Sequence, residues 1–169
     1  MNPQTPSIRQ PEPPRTAAPM PVPVGEPAPA SVTFAVQLSS TRRGARLARL
    51  LAAQWLDEHG MPYRCTASHS AALIVAELAA NAVRHCGNIG RDFRLRLVLS
   101  EAKPERVLRV EVTDARADKP LPPGAPRPVD GEEESGRGLL LVDAVADRWG
   151  HRVNDPVTKT LWAELDLWE

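Results

Sequence analysis

The stretch AALIVAELAANAVRH, residues 71–85, decides how this chain is read. Ala, Leu and Val dominate it, and neither Gly nor Pro interrupts it, so the composition predicts a helix. That helix is apolar almost all round, the mark of one that is buried rather than laid on a surface. Glu77, Asn81 and His85 break the apolar run at i, i+4 and i+8. This spacing puts a carboxylate, an amide and an imidazole on one face, with Arg84 beside them. Burying such groups unpaired costs on the order of 2–7 kcal/mol for a neutral one alone. Something polar must lie over the stripe: a satisfied core network, a subunit contact or a ligand.

The 169 residues suffice for one domain with a real core, plus a tail. Hydrophobic content of 42% and charged content of 25% fit a soluble globular protein. A formal net charge of zero argues against a nucleic-acid grip by bulk charge. Arg42, Arg43 and Arg46 cluster, but they begin a helix whose other face is apolar. Cys65 and Cys86 form no zinc-ligand spacing and suit a reducing compartment. No apolar run approaches a membrane span, and the N-terminus lacks the basic-then-apolar order of a secretory signal. The expectation is a cytoplasmic protein with no membrane and no direct nucleic-acid partner.

Residues 1–30 carry ten prolines and few large apolar residues, which predicts a disordered or PPII-like tail ahead of a domain over 31–169. SVTFAVQL, 31–38, alternates as a strand. Residues 39–41 offer N-caps for a helix running to about residue 59, with Leu47, Leu50, Leu51, Trp55 and Leu56 as its apolar stripe. Gly60 and Pro62 end it. Thr66 or Ser68 can cap the polar-striped helix, which ends in the turn-rich 87–90. Residues 92–99 and 106–113 read as a hairpin of half-buried strands.

The alternation in 106–113 continues one residue further. Asp114 has the parity of Leu108, Val110 and Val112, so it points inward at a strand end. It is either a cap for the following loop or the acceptor for a ligand's N–H group. Residues 115–135 are Pro-rich, then acidic, and read as a functional lid or a disordered loop. Gly136, Arg137 and Gly138 lead into the helical LLLVDAVAD, 139–147, which Gly150 ends. A Gly-rich turn opening a helix presents free N–H groups to an anion. Residues 149–153 and 158–167 close the domain as strands. The order predicts an α+β fold: a two-layer α/β sandwich with a mixed, mostly antiparallel sheet and helices on one face. The polar inventory suits a nucleoside triphosphate. Asp114 accepts from the base amino group, the glycines face phosphate, Asn81 offers an oxygen to Mg²⁺, and Glu77 orients or deprotonates a nucleophile.

These residues resemble the boxes of the GHKL (Bergerat-fold) ATPases, shared by gyrases and histidine kinases. ELAANAVRH looks like their N-box, VTDA their G1 strand, GRGLLLV their G2 box and TKTLWAEL their closing strand. The resemblance covers roughly 31–168 and is greatest to the stand-alone bacterial anti-sigma factor serine kinases. It implies ATP and Mg²⁺ as ligands, with Glu77 as general base, Asn81 as metal ligand and Asp114 as adenine acceptor. Gly136 and Gly138 fall on the phosphate loop, with Arg137 and Leu139 in the same box. Arg84 and His85 fall near phosphate, Thr160 or its competitor Thr158 near the adenine, and 115–135 on the ATP lid. It further implies a serine/threonine protein kinase that phosphorylates an anti-sigma antagonist, sequesters a sigma factor and controls transcription by partner switching. An ATP-binding interaction module with little turnover is the alternative. Relatives often dimerise through the sheet, and the outward parity of Trp162 permits a homodimer. The pattern D-x-G-x-G reads Asp114, Ala115, Arg116, Ala117, Asp118 here, without its glycines.

Overall fold

Residues 30–102, 105–118 and 134–167 are described by the structure, a computed structural model. The Pro-rich tail up to residue 29, and 119–133 of the expected lid, lie outside the described residues. The elements are β1 (Ala30–Leu38), α1 (Arg42–Glu58), α2 (Thr66–Cys86), β2 (Phe93–Ala102), β3 (Glu105–Asp114), α3 (Glu134–Val145), β4 (Arg148–Val153) and β5 (Lys159–Asp166). They form an α+β fold, a five-stranded sheet in the order β1-β2-β3-β5-β4 with helices packed on it. The sequence predicted a mixed, mostly antiparallel sheet. All four pairings among the described residues are antiparallel.

Strand alternation sorts the sheet into two faces. Phe93, Leu95, Leu97 and Leu99 of β2, Leu108, Val110 and Val112 of β3, and Leu161, Ala163 and Leu165 of β5 are buried against the helices. α2 contacts β2, β3 and β5 and is flanked by α1 and α3. It therefore has protein on most sides, as its nearly continuous apolar surface requires. Ile74, Val75 and Leu78 are buried, and each such side chain contributes about 1.5–3 kcal/mol relative to exposure.

Four local expectations need correction. The buried stripe of α1 is Gly44, Ala48, Ala52, Trp55 and Leu56, while Leu47 and Leu50 are 42% and 51% exposed. Small residues face inward, and at the first of them a Cβ would strike the carbonyl of Ser39, in the segment leading into the helix. The cap of α2 is neither Thr66 nor Ser68 but Cys65, whose Sγ accepts from Ser68 N–H at 3.4 Å. α3 begins at Glu134, so Gly136, Arg137 and Gly138 lie within its first turns rather than before it. Finally, Gly150 does not end α3. The helix stops at Val145, Asp147 N–H then bonds Glu164 O at 3.0 Å, and the chain enters β4. Gly150 is a strand residue whose missing Cβ makes room for the Trp162 ring, 2.9 Å from where that Cβ would stand.

The outer face of the sheet is not apolar but ion-paired. Glu111 accepts from Arg96 Nη1 at 3.1 Å and Arg109 Nε at 2.8 Å, and Arg109 Nη1 reaches Glu164 at 2.6 Å. Arg148 then bridges Glu164 and Asp166. Arg109 also stacks over Trp162, 4.2 Å from the ring centroid, so Trp162 is half-buried between Arg109 and Gly150 rather than standing free. This covering leaves Glu111 only 5% exposed on the face away from the helices.

Burial pushes the Glu111 carboxyl up, but Arg109 and Arg96 outweigh it and hold it below its ordinary 4.5. Glu164, opposed by burial in the same way, is held down by Arg148 and Arg109. A depressed native pKa stabilises fully above the unfolded value and is lost as pH falls through the native one. The melting temperature is therefore expected to drop as pH falls below about 4.5. Glu111→Gln should cost about 1–3 kcal/mol at neutral pH and blunt that acid limb, since it removes the charge that two guanidinium groups share. Circular-dichroism melts of both proteins across pH check this.

Candidate functional site

α2 brings the polar stripe into the interior. Asn81 is 5% exposed, and its amide Nδ2 has no hydrogen-bond partner. Glu77, one turn earlier, is half-buried, and its carboxylate lies against Gly138 of α3. A Cβ at Gly138 would stand 2.5 Å from Glu77 Oε2. A glycine inside a helix costs about 1 kcal/mol relative to alanine. Here the bare Cα is what lets a carboxylate from the neighbouring helix fit against the backbone.

β3 delivers Asp114 to the same side of the sheet. Its parity with Val110 and Val112 buries it to 1% exposure at the C-terminal end of the strand. The two carboxylate oxygens are treated differently. Oδ1 accepts from Arg116 N–H at 3.0 Å and lies 4.0 Å from Lys159 Nζ. Oδ2 is buried with no partner. Lys159 is the register partner of Asp114 across β3 and β5, and it too is only 1% exposed. Burial pushes the Asp114 carboxyl above its ordinary value, against the pull of the Lys159 ammonium. Burial likewise lowers Lys159, against the pull of Asp114.

The turn after Asp114 holds together without the glycines of D-x-G-x-G. Arg116 grips Asp118 with two bonds, at 2.7 and 2.8 Å, and its Nη1 donates to the His85 carbonyl at 3.1 Å. Ala117 N–H bonds Val157 O at 3.1 Å. The strand end, the end of α2 and the approach to β5 are thereby tied together around Asp114.

Not every residue marked in the sequence gathers here. Glu77, Asn81 and Asp114 take buried or half-buried places on the helix side, and Gly138 touches Glu77. Leu139 is buried in the core at 8% exposure. Gly136 lies in the first turn of α3, and Arg137 is exposed. His85 is half-buried, with its backbone carbonyl engaged by Arg116. Arg84 is exposed and lines a 490 Å³ groove between α1 and α2 with Arg42, Ala45, Ala80 and Val83. Thr160 is a correction. Its hydroxyl bonds that of Thr113 at 2.7 Å on the outer face of the sheet, opposite Asp114, because its parity is that of Trp162 and Glu164. Thr158 bonds Asp155. The residue beside Asp114 is Lys159, which the sequence reading passed over. The inward parity of Leu161, Ala163 and Leu165 carries back to it, and that signal was available.

The buried polar side-chain atoms without a partner among the described residues are Ser40 Oγ, Asn81 Nδ2 and Asp114 Oδ2. An unsatisfied buried group costs about 1–3 kcal/mol. Two of the three belong to the polar set picked out from sequence, which is what a polar ligand's binding groups look like without it. A 520 Å³ groove bordered by Met61, Cys65, Ser70 and Arg106 lies instead at the start of β3, the strand end far from Asp114.

A sandwich with these groups on its central helix and inner strands is that of a nucleotide-binding ATPase domain. The chain matches the histidine kinase-like ATPase domain over residues 38–164 and belongs to that family, within the GHKL type of ATPases. The matched span contains Glu77, Asn81, Asp114, α3 and Lys159. It is also similar to an uncharacterized protein of Streptomyces coelicolor, 51% identical over 47 residues. That stretch is 28% of this chain and 43% of the relative, so the chain spans less than half of the relative's length. No described helix is long and apolar enough to cross a membrane.

A binding residue that carries an unpaired buried atom stabilises poorly when the ligand is absent. Asn81→Leu, which keeps the same branched outline, is expected to raise the melting temperature of the ligand-free protein, by the equivalent of about 1 kcal/mol. Thermal melts without nucleotide check it, and a lower melting temperature would mean that the amide is a structural hydrogen-bonding group.

Proposed function

We propose that this chain is an ATP-dependent serine/threonine protein kinase of the anti-sigma factor type. It acts in the cytoplasm on an anti-sigma antagonist and regulates transcription by partner switching with a sigma factor. The observation that carries the reading is the contact of the Glu77 carboxylate with Gly138, one helical turn from the buried Asn81, whose Nδ2 has no hydrogen-bond partner. A candidate base thus stands where α3, the helix of the phosphate-loop box, meets α2. Membership of the ATPase family supports nucleotide binding.

The residues fit Mg·ATP. Asp114 Oδ2, a buried acceptor with no partner, suits the amino group of adenine. Asn81 can offer its amide oxygen to Mg²⁺. Among the described residues no cluster of three acidic, His or Cys side chains could hold a metal. That suits Mg²⁺, which is commonly held by few protein ligands and by the substrate's phosphates. Bound Mg·ATP supplies the transferable phosphoryl group and the charge neutralisation for its transfer. Glu77 accepts the proton of the attacking serine hydroxyl on a carboxylate oxygen, so that the Ser Oγ–P bond forms as ADP departs. Packing on Gly138 fixes where that carboxylate stands, and positioning is the larger part of such catalysis.

A second reading, an ATP-binding interaction module with little turnover, is favoured by the turn after Asp114. Arg116 ties it to His85 and Asp118 where D-x-G-x-G would leave it loose.

Titration with Mg·ATP is expected to give saturable binding, weakened by about 1–3 kcal/mol in both Asn81→Ala and Asp114→Asn. With labelled ATP, the wild type should phosphorylate a serine of an antagonist protein. Glu77→Gln should bind ATP normally but transfer at least about a hundredfold more slowly. Gly138→Ala should fold and bind but also transfer slowly, because its methyl displaces the carboxylate. ATP binding with no labelled serine, and partner capture unaffected by Glu77→Gln, would select the second reading.

A further inference from the structure

Lys159 has no role in the scheme above, yet it is one of the most deeply buried charged side chains among the described residues. It sits on β5 at the register position facing Asp114, with its Nζ 4.0 Å from Oδ1. Leaving a lysine in a protein interior is costly unless an anion answers it. The carboxylate 4.0 Å away is the very one whose other oxygen has no hydrogen-bond partner. Oδ1 is the protein's side of Asp114, held by Arg116 N–H and faced by Lys159. Oδ2 is buried and has no hydrogen-bond partner.

We propose that Lys159 is a positioning residue of the nucleotide site, holding Asp114 as an oriented carboxylate by its Oδ1 so that Oδ2 is left to accept from the amino group of the base. This rests on the nucleotide reading and deepens it, since it makes β5 part of the selection for an amino-bearing purine. Without a cation beside it a buried carboxyl is shifted further toward its neutral form, and a carboxyl with its proton on Oδ2 is a weaker acceptor there than the carboxylate. Burial already pushes Asp114 up, and Lys159 is the strongest of the groups opposing it.

The charged and titratable groups facing Asp114 are Lys159 from β5, Arg116 and Asp118 from the turn after β3, and Cys86 from the end of α2. Arg116 and Asp118 are paired with each other, and burial pushes the Cys86 thiol up, so it stays neutral at working pH. His85 precedes Cys86 at the end of α2, and a double-mutant cycle separates the Asp114–Lys159 pair from such neighbours.

The experiment is calorimetric titration of the full chain at several pH values from about 5 to 9. It uses wild type, Lys159→Met, Asp114→Asn and the double variant. The probes are Mg·ATP and the magnesium complex of the purine riboside triphosphate that lacks the 6-amino group. Lys159→Met is expected to bind ATP about tenfold to a hundredfold more weakly at neutral pH, with affinity that climbs as pH rises. It should bind the triphosphate without the amino group as the wild type does. Asp114→Asn and the double variant should bind ATP equally, because Lys159 acts only through Asp114.

A Lys159→Met protein with wild-type ATP affinity and pH profile overturns the proposal. So do equal losses for both triphosphates, and so does a double variant weaker than Asp114→Asn. If Lys159→Met fails to fold, comparing Asp114→Asn with the double variant, which holds no unanswered buried charge, still decides. A wild type that binds neither triphosphate overturns the nucleotide reading itself. Wild-type ATP binding combined with any of the contrary results overturns this inference alone.

Discussion

A helix that is apolar on nearly every side is stable only if something covers every side. α2 imposes that condition on the whole fold. The sheet covers one flank through the inner faces of β2, β3 and β5, and α1 and α3 cover the others. The few polar groups on α2 are thereby carried into an interior that has little else polar to offer them. The site follows from the packing problem: where α2 is not wrapped in hydrocarbon, Glu77 meets the bare backbone of Gly138 and the Asn81 Nδ2 is left without a hydrogen-bond partner.

The second dependence is on strand parity. Once Leu108, Val110 and Val112 face the helices, Asp114 must follow them. Once Leu161, Ala163 and Leu165 do, Lys159 must as well. The antiparallel register then sets the two opposite each other at the end of their strands. A carboxylate and an ammonium end up together in the interior because two strands keep step, and the arginine after the strand completes the surround. Nothing in the immediate neighbourhood of either residue would have called for the other.

This bears on what was readable in the sequence. The α+β class, the polar stripe of α2 and the inward Asp114 were legible because each rests on a period, 3.6 or 2, that the residues display directly. Lys159 rested on the same period but was passed over in favour of the threonines on either side of it. Thr160 proved to face the other way, bonding Thr113. The inward face of α1 is not marked by its large residues: it carries Gly44, Ala48 and Ala52, and at Gly44 the Ser39 carbonyl leaves no room for a Cβ. Gly150 looked like a helix stop because nothing local announces an aromatic ring arriving from another strand. The near-complete burial of Glu111 depends on Arg96, Arg109 and Trp162 meeting over it, and single-strand alternation carries no information about such a cover.

The ladder of arginines and carboxylates on the back of the sheet also gives the two layers of the sandwich different responses to heat. The core on the helix side is hydrocarbon, whose contribution per unit area levels off on warming. The penalty for taking charges out of water shrinks with temperature instead. The run from Arg96 through Glu111, Arg109 and Glu164 to Arg148 is thus relatively better placed hot than cold. On warming, that ion-paired face therefore keeps its contribution better than an equal area of surface charge at about 25 °C would suggest.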